Sequence, residues 1–100
     1  MEPHEIAISV VSRLTGISTS DILCHSRLWP LVRARQFVIL LLMQDGYTST
    51  RLARILARTP CTIHNSKVKA NSNLAYSKTF AQKYQEISKS YHDEKSLRAS

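Results

Sequence analysis

Residues 47–69 read YTSTRLARILARTPCTIHNSKVK, and their spacing is that of a helix-turn-helix. Leu52 and Leu56 are four residues apart and therefore share one face of a first helix. Ala53, beside them, is small enough to let a second helix cross closely. The two residues after Leu56 leave room only for a tight turn. The stretch therefore predicts two short crossed helices, an arrangement that many nucleic-acid-binding domains share.

The second of these helices begins at Thr59 and Pro60, because threonine is a favoured N-cap and proline is tolerated at the first helical position. Ile63 and Ala70, seven residues apart, mark its inward face. Lys67 lies near the edge of that face, where its stem is expected to snorkel. The outward positions are small, polar or cationic: Cys61, Thr62, His64, Asn65 and Lys69. An outward face of this kind is typical of a helix that reads the major groove.

The corner between the two helices departs from the usual pattern at one position. Three hydroxyl side chains, those of Thr48, Ser49 and Thr50, are available to cap the first helix. Ala57 stands in the turn, where the motif usually carries glycine. Because alanine is strained in a left-handed conformation, we expect a slightly reshaped corner.

The rest of the chain also has apolar residues at helical spacing, with only two glycines and three prolines. This pattern predicts a compact all-α domain of about five to six helices. A first amphipathic helix from Pro3 to Leu14 ends at Gly16, and a short second helix covers Ser20 to Cys24. The side chains predicted to be buried on these two helices are Ile6, Val10, Val11, Leu14, Ile22 and Leu23.

After a loop of residues 25–29, Pro30 opens a long helix that runs to about Gln44. Its second half, residues 37–43, is apolar on all sides and is predicted to be the central buried element. Trp29 is expected to pack against this helix. The first half carries three polar side chains on a face expected to be wet: Arg33, Arg35 and Gln36.

The last third of the chain predicts one further helix from Leu74 to about Tyr91, in which Phe80, Tyr84 and Ile87 are buried. Residues 71–73 are weakly helical and mark either a break or a polar face. Residues 1–91 are therefore expected to form a single domain, and residues 92–100 have the composition of a flexible tail.

The charge of the chain is unevenly distributed. The formal net charge is +7 and the isoelectric point is near 9.9, which favours an anionic partner. Between Ile22 and Gln85 the chain carries ten lysines or arginines and a single acid, Asp45. A segment almost free of carboxylates suits a surface that faces phosphates. A solvated basic surface without a partner is the alternative interpretation.

Several classes of function lack their signals in the sequence. Cys24 and Cys61 are far apart and form no CxxC pair, which indicates a reduced intracellular chain. Cys61 and His64 alone do not make a zinc site. The N-terminus has no signal peptide, and the apolar run of residues 37–43 is too short to span a membrane. With no catalytic constellation, we expect no enzyme activity, no cofactor, no metal and no small-molecule substrate.

Together these segments resemble a known family. VVSRLTGISTSDILCHSR, then LVRARQFVILLL, then the helix-turn-helix resembles the C-terminal DNA-binding domain of the bacterial chromosomal replication initiator DnaA, over roughly Ile6 to Ala70. The most specific piece is RARQ at residues 33–36, which looks like that family's Arg-x-Arg-Gln, usually with proline at the position of Ala34. The chain has no GxxxxGK[ST] motif, so the initiator's ATPase part is absent. A stand-alone relative, for instance from a mobile element, and a fragment both stay open.

The resemblance implies a Trp-repressor-like helical fold that binds duplex DNA at a short asymmetric box. The recognition helix would enter the major groove, and Arg33 matches the family's arginine that reaches the adjacent minor groove. Arg35 and Gln36 would then be phosphate contacts or structural supports. It further implies a bacterial, cytoplasmic and nucleoid-associated protein with duplex DNA as its partner, with no role at a membrane. A monomer is favoured.

Three departures count against exact equivalence with the family, and the first of them changes the residues that would read base edges. Residues 59–62 are Thr-Pro-Cys-Thr, where the family's recognition helix opens with Asp-His-Thr-Thr. The corner is one residue shorter and lacks the family's Gly-Gly. Trp29 and Pro30 stand where the family often has cations. The resemblance therefore carries over the fold and the docking mode, and leaves the preferred DNA sequence undefined.

The candidate function is sequence-specific binding of double-stranded DNA, related to recognition of replication-origin boxes. Two alternatives remain: a transcriptional regulator of a mobile element, and a protein-interaction module that kept the fold but lost base readout. Arg51, Arg54, Arg58, Lys67 and Lys69 are candidate phosphate neutralisers, and in the group at the helix start Asn65 is able to pair with adenine and Thr62 to touch thymine or phosphate. The candidate DNA-binding residues are Arg33, Arg35, Gln36, Ser49, Thr50, Arg58, Thr59, Pro60, Cys61, Thr62, His64, Asn65, Lys67 and Lys69.

Overall fold

The long third helix, α3 (Trp29–Gln44), is the element on which every other helix packs. The computed structural model of the protein describes residues 2–24 and 28–99. Residues 37–42 of α3 are all buried and Met43 is half-buried, which confirms the predicted central element. The helix ends at Asp45–Gly46, where Gly46 has a φ of 92°. Of the predicted loop, residues 25–27 lie outside the described part of the chain.

In the described part of the chain five further helices surround α3, and the prediction of an all-α domain of five to six helices is confirmed. Each is preceded or followed by a capping feature that its sequence supplies: Gly16 is left-handed with a φ of 75°, and the side chains of Ser18 and Thr48 accept hydrogen bonds from backbone N–H groups three residues on. The helices are α1 (Pro3–Thr15), α2 (Thr19–Leu23), α4 (Ser49–Ile55), α5 (Pro60–Tyr76) and α6 (Lys78–Ala99).

One hydrophobic core joins all six helices. Phe37 of α3 stacks on Phe80 of α6 with 4.5 Å between ring centroids, and it also stacks on Tyr84 of α6 with 6.4 Å between centroids. The predicted buried residues of α1, α4, α5 and α6 are in this core, except that Leu14 is only half-buried. The prediction that Leu23 is buried is wrong. Its side chain is 40% exposed, because α2 turns only Ile22 toward the core.

The boundary between the last two helices differs from the prediction. α5 continues without a break through residues 71–73 and ends at Tyr76, so Leu74 belongs to α5 and α6 begins at Lys78. Asn73 is held in α5 by donating from its Nδ2 to Gln36 Oε1 at 3.0 Å. The break falls at Ser77, whose Oγ accepts from the backbone N–H of Phe80 at 3.3 Å and so caps α6.

α6 also runs on through residues for which the composition predicts a flexible tail. The structure has a helix to Ala99, eight residues beyond Tyr91. Two contacts hold this extension to the body of the domain: Glu94 lies 3.8 Å from Arg13 of α1, and Lys95 lies 2.7 Å from Asp45. Because these partners are distant in sequence, composition alone did not reveal them.

The carboxylate of Asp45 binds the C-terminal half of α6 to the rest of the domain. It accepts hydrogen bonds from the Tyr91 hydroxyl and from Lys95 Nζ. Burial by itself raises the pKa of this carboxyl, but the two hydrogen bonds and the positive charges of Lys95 and His92 outweigh burial, so the pKa lies below its ordinary value of 3.8. The unfolded chain therefore binds a proton at Asp45 more readily than the folded chain does.

The lowered pKa of Asp45 predicts a defined loss of stability in acid. The contribution of Asp45 is complete above its ordinary pKa and disappears as the pH falls through the lower, folded value. We expect Asp45→Asn to lower the free energy of unfolding near neutral pH and to make its acid dependence shallower. Urea unfolding between about pH 2 and about pH 7 measures both. Asp93→Asn, at an exposed site on α6, is the matched control; an equal effect there would contradict the role of Asp45.

Candidate nucleic-acid interface

The α4–α5 pair forms the predicted helix-turn-helix. Leu52, Ala53 and Leu56 on one side, and Ile63 and Ala70 on the other, are between 0% and 5% exposed. Thr48 is the N-cap chosen from the three hydroxyl residues, since its Oγ1 accepts from Arg51 N–H at 3.1 Å. Thr59 caps α5 by accepting from Thr62 N–H at 3.2 Å. These local signals therefore placed both helix starts.

The tight corner depends on a strained alanine. Ala57 has a φ of 54°, and it is the one residue other than glycine with a positive φ among those described. The following N–H, of Arg58, donates to Ala53 O at 2.8 Å and closes the end of α4. The left-handed conformation costs alanine about 1–2 kcal/mol relative to right-handed helix, a cost that glycine escapes.

We expect Ala57→Gly to stabilise the protein. The released strain, reduced by the greater freedom of glycine in the unfolded chain, leaves a gain of about 0.5–1 kcal/mol in the free energy of unfolding. Urea denaturation measures it. The matched control is Ala75→Gly, at an exposed position inside α5, where glycine costs about 1 kcal/mol. Destabilisation of both variants to the same extent would contradict the strain at Ala57.

The outer surface of α5 has the composition predicted for it. Cys61, Thr62, His64, Asn65 and Lys69 are all exposed. Cys61 and Asn65 lie two positions before and after Ile63, so each is about 160° around the helix axis from that buried side chain. They occupy the surface opposite the core. Thr62 also contacts the Thr59 hydroxyl at 2.9 Å, which fixes the first turn.

Two lysines of α5 are exposed, at different positions around its axis. Lys67 follows Ile63 by four residues and is therefore only about 40° from that buried side chain, near the edge of the inward face, where the sequence places it. Its exposure is that of a lysine whose stem lies along this edge and whose charge reaches solvent. Lys69 follows Asn65 by four residues and lies beside it on the outward surface. Lys69 is therefore the lysine of α5 that borders the outward surface.

The other candidates near the corner are also exposed, with one exception. Thr50, Thr59 and Pro60 are exposed, and Ser49 is half-buried at the first turn of α4. Arg51 is exposed, with its guanidinium 4.0 Å above the centroid of the Tyr47 ring. Arg54 is exposed as well. The start of α4 and the start of α5 therefore both present polar or cationic side chains to solvent.

Arg33 is half-buried in the first turns of α3. Its guanidinium carbon lies 5.8 Å from the centroid of the Trp29 ring and 5.8 Å from that of Phe80. It also lines a cavity of about 320 Å³ between α1, α3 and α6, to which Lys83 contributes a second cation. No carboxylate is among the described residues that line this cavity. The surroundings of Arg33 are therefore aromatic and cationic.

Arg35 and Gln36 were expected on a wet face of α3, and this is wrong. They are 8% and 2% exposed. Arg35 donates from Nε to Ile22 O at 2.8 Å and from a terminal nitrogen to Cys24 O at 2.5 Å. Gln36 accepts the hydrogen bond from Asn73 of α5. Of their two proposed roles, phosphate contact or structural support, the contacts match the second.

Arg58 shares the partner of Arg35. Its guanidinium donates to Cys24 O at 2.6 Å, so two cations converge on the last carbonyl groups of α2, where the helix dipole is negative. Burial, and after it the nearby charge of Arg35, lower the pKa of Arg58. The arginine that follows the corner thus ties the helix-turn-helix to α2. The sequence offered no signal for this contact, because its acceptor is a backbone atom 34 residues away.

The single acid of the basic middle segment, Asp45, is paired with a lysine of α6. Its side chain is 14% exposed and lies at the opposite end of α3 from Arg33.

Trp29 was expected to pack against α3, and this prediction is wrong. Trp29 begins α3 and is 57% exposed, next to Leu28 at 66%.

Comparison of the chain with protein-family models, with curated proteins and with solved structures gave no match. Among the described residues, no helix has both the length and the apolar character needed to cross a membrane. In the same part of the chain, no three histidine, cysteine or acidic side chains are grouped as a metal ion would require. The site is therefore defined by its own geometry and charge.

Proposed function

We propose that the protein is a double-stranded-DNA-binding domain. α5 lies in the major groove, with Cys61, Thr62, His64 and Asn65 toward the base edges. Lys69 contacts a phosphate beside the groove, and the long side chain of Lys67 reaches a second phosphate from the edge of the inward face. Arg33 lies in or near the adjacent minor groove. The resemblance to replication initiators supports an origin-type box as the target.

The observation that carries this proposal is the exposed, polar surface of α5, with the cation of Lys69 beside it. It coincides with a segment whose single acid is already paired with a lysine. Phosphate contacts supply most of the affinity of such an interface, and base contacts supply its specificity. Arg35, Gln36 and Arg58 serve this function indirectly, by fixing α3 and α5 to each other and to α2.

The test is fluorescence anisotropy of labelled duplexes at several salt concentrations, with an initiator-box probe and a scrambled probe. We expect binding that weakens steeply with salt, by about 0.9 in the logarithm of the affinity per logarithm of salt concentration for each phosphate contacted. A preference for the box would place the target among origin boxes. Failure to bind either duplex at low salt would contradict the proposal.

A protein-interaction module is the second candidate. Val68 and Tyr76 of α5 are 54% and 89% exposed, and apolar side chains in that position suit a protein surface better than a phosphate backbone. This candidate predicts that DNA affinity is weak and indifferent to charge on α5. The charge reversals described in the Discussion separate the two candidates.

A further inference from the structure

The N-terminal end of α3 presents two large apolar side chains to solvent. Leu28 is 66% exposed and Trp29 is 57% exposed, and the next residue, Pro30, is exposed too. Trp29 is the single tryptophan of the chain. Tryptophan is among the side chains that gain most from burial, so its exposure here leaves favourable burial unused. Such a pair indicates a surface that becomes covered by a partner.

The charge around this pair restricts the kind of partner. Arg33 lies one turn further along α3, and its guanidinium carbon is 5.8 Å from the centroid of the indole ring. The first turn of α3 contains no acid. Arg33 and Trp29 are therefore presented on one side of the helix, with Leu28 next to Trp29 in the chain. A partner that covers them must offer negative charge beside an apolar slot.

Duplex DNA offers this combination in its minor groove. Proteins that bind there place arginine or lysine in the groove and often insert apolar side chains between base steps, which bends the duplex toward the major groove. The negative potential of the groove suits Arg33, and the faces of unstacked bases suit an aromatic ring. A protein surface complementary to Leu28 and Trp29 would not by itself explain the arginine beside them.

We propose that Leu28 and Trp29 form an apolar wedge that enters the minor groove beside Arg33, partly unstacks one base step and bends the duplex. This inference rests on the proposed DNA-binding function and adds a deformation of the DNA to it. Base steps that unstack easily, such as TpA, are then favoured at the wedge without any hydrogen bond to a base. Specificity for the DNA sequence would then arise in part from the start of α3, and would depend less on residues 59–62 of α5, which differ from those of the initiator family.

The experiment follows three signals in one titration series with the full chain. Anisotropy of a labelled duplex reports binding. Emission of Trp29 on addition of unlabelled duplex reports stacking, and energy transfer between dyes on the two duplex ends reports bending. We expect quenching of Trp29 and a shorter end-to-end distance. Trp29→Ala and Leu28→Ala should each weaken binding about tenfold and reduce the bend. Trp29→Phe, which retains an aromatic ring, should retain both the affinity and the bend.

The matched control is Leu97→Ala, which removes a side chain that is 75% exposed on α6 and should leave affinity and bend unchanged. Unchanged Trp29 emission while anisotropy saturates would overturn the wedge and leave the DNA-binding proposal intact. An unchanged end-to-end distance would do the same. Absence of any anisotropy change at low salt would instead refute the DNA-binding proposal, and the wedge with it.

Discussion

Reversing both exposed lysines of α5, in the double variant Lys67→Glu, Lys69→Glu, is expected to lower the affinity for duplex DNA on the order of 100-fold. Each lysine is proposed to neutralise one phosphate, and a glutamate in its place adds repulsion. The dependence of affinity on salt should become shallower by about two contacts. Both side chains are exposed, so the fold should be unaffected. Anisotropy across a salt series measures both effects.

Lys89→Glu is the control for this prediction, because Lys89 is exposed on α6 and its reversal changes the net charge as much as either single reversal does. The two lysines are therefore also reversed singly, because the double variant changes the net charge twice as much as Lys89→Glu does. If binding depended on overall charge alone, the single variants Lys67→Glu, Lys69→Glu and Lys89→Glu would weaken it equally. Equal losses would contradict docking through α5. Circular dichroism and urea unfolding of each variant verify that the fold is intact.

Removing Arg35 is expected to destabilise the protein by about 3 kcal/mol, with a drop of roughly 4–8 °C in melting temperature per kcal/mol. Its two hydrogen bonds join α3 to the carbonyls of Ile22 and Cys24, and a charged donor contributes more than a neutral one. In Arg35→Ala the carbonyl oxygen of Ile22 loses this hydrogen-bond donor, and the volume of the buried arginine side chain is left unfilled. Thermal and urea unfolding measure the loss.

Arg33→Ala is the matched variant, two residues earlier on the same helix. Arg33 is half-buried with its guanidinium over two aromatic rings. Its removal should therefore cost about 1 kcal/mol of stability, less than the loss of the buried hydrogen bonds of Arg35. It should also lower DNA affinity, by roughly 1–3 kcal/mol for an arginine that contacts base edges. The two arginines thus separate stability from binding. If Arg35→Ala bound DNA poorly while unfolding like the unmodified protein, Arg35 would be a DNA contact and the structural role would be wrong.

Features set by neighbouring residues could be predicted from the sequence. The starts of α4 and α5, the glycine that ends α1 and the apolar second half of α3 all depend on residues within a few positions of one another. Periodicity and capping report such local requirements. The helix-turn-helix was therefore predictable to within a residue or two, including the strain that Ala57 introduces.

Features set by distant partners could not be predicted in the same way. Arg35 is polar and was taken to face water, yet its acceptors are backbone oxygens 11 and 13 residues upstream. Gln36 is paired with Asn73, 37 residues downstream. A pattern of side chains in the sequence does not indicate which backbone oxygen will accept a hydrogen bond. The contacts that extend α6 to Ala99 also join residues far apart in the sequence, so the composition of its last residues did not predict them.

The candidate site residues also fall into these two groups, those predictable from neighbouring residues and those that depend on distant ones. Exposure of the α5 surface follows from its helical period, and the sequence placed Cys61, Asn65 and Lys69 correctly on the outside. Exposure of Trp29 depends on how the start of α3 leaves the core, and the sequence suggested packing instead. A tryptophan beside a proline at a helix start has no periodic neighbours from which its environment could be inferred.

The most direct test of docking through α5 is a titration of isotope-labelled protein with a short initiator-box duplex, followed by amide chemical shifts at low salt. We predict that the largest changes fall on residues 59–69 and on the first turns of α3, together with the indole N–H of Trp29. The exposed face of α6 around Lys89 should change little. Changes centred on α6 or α1, with α5 unaffected, would contradict the proposed mode of binding.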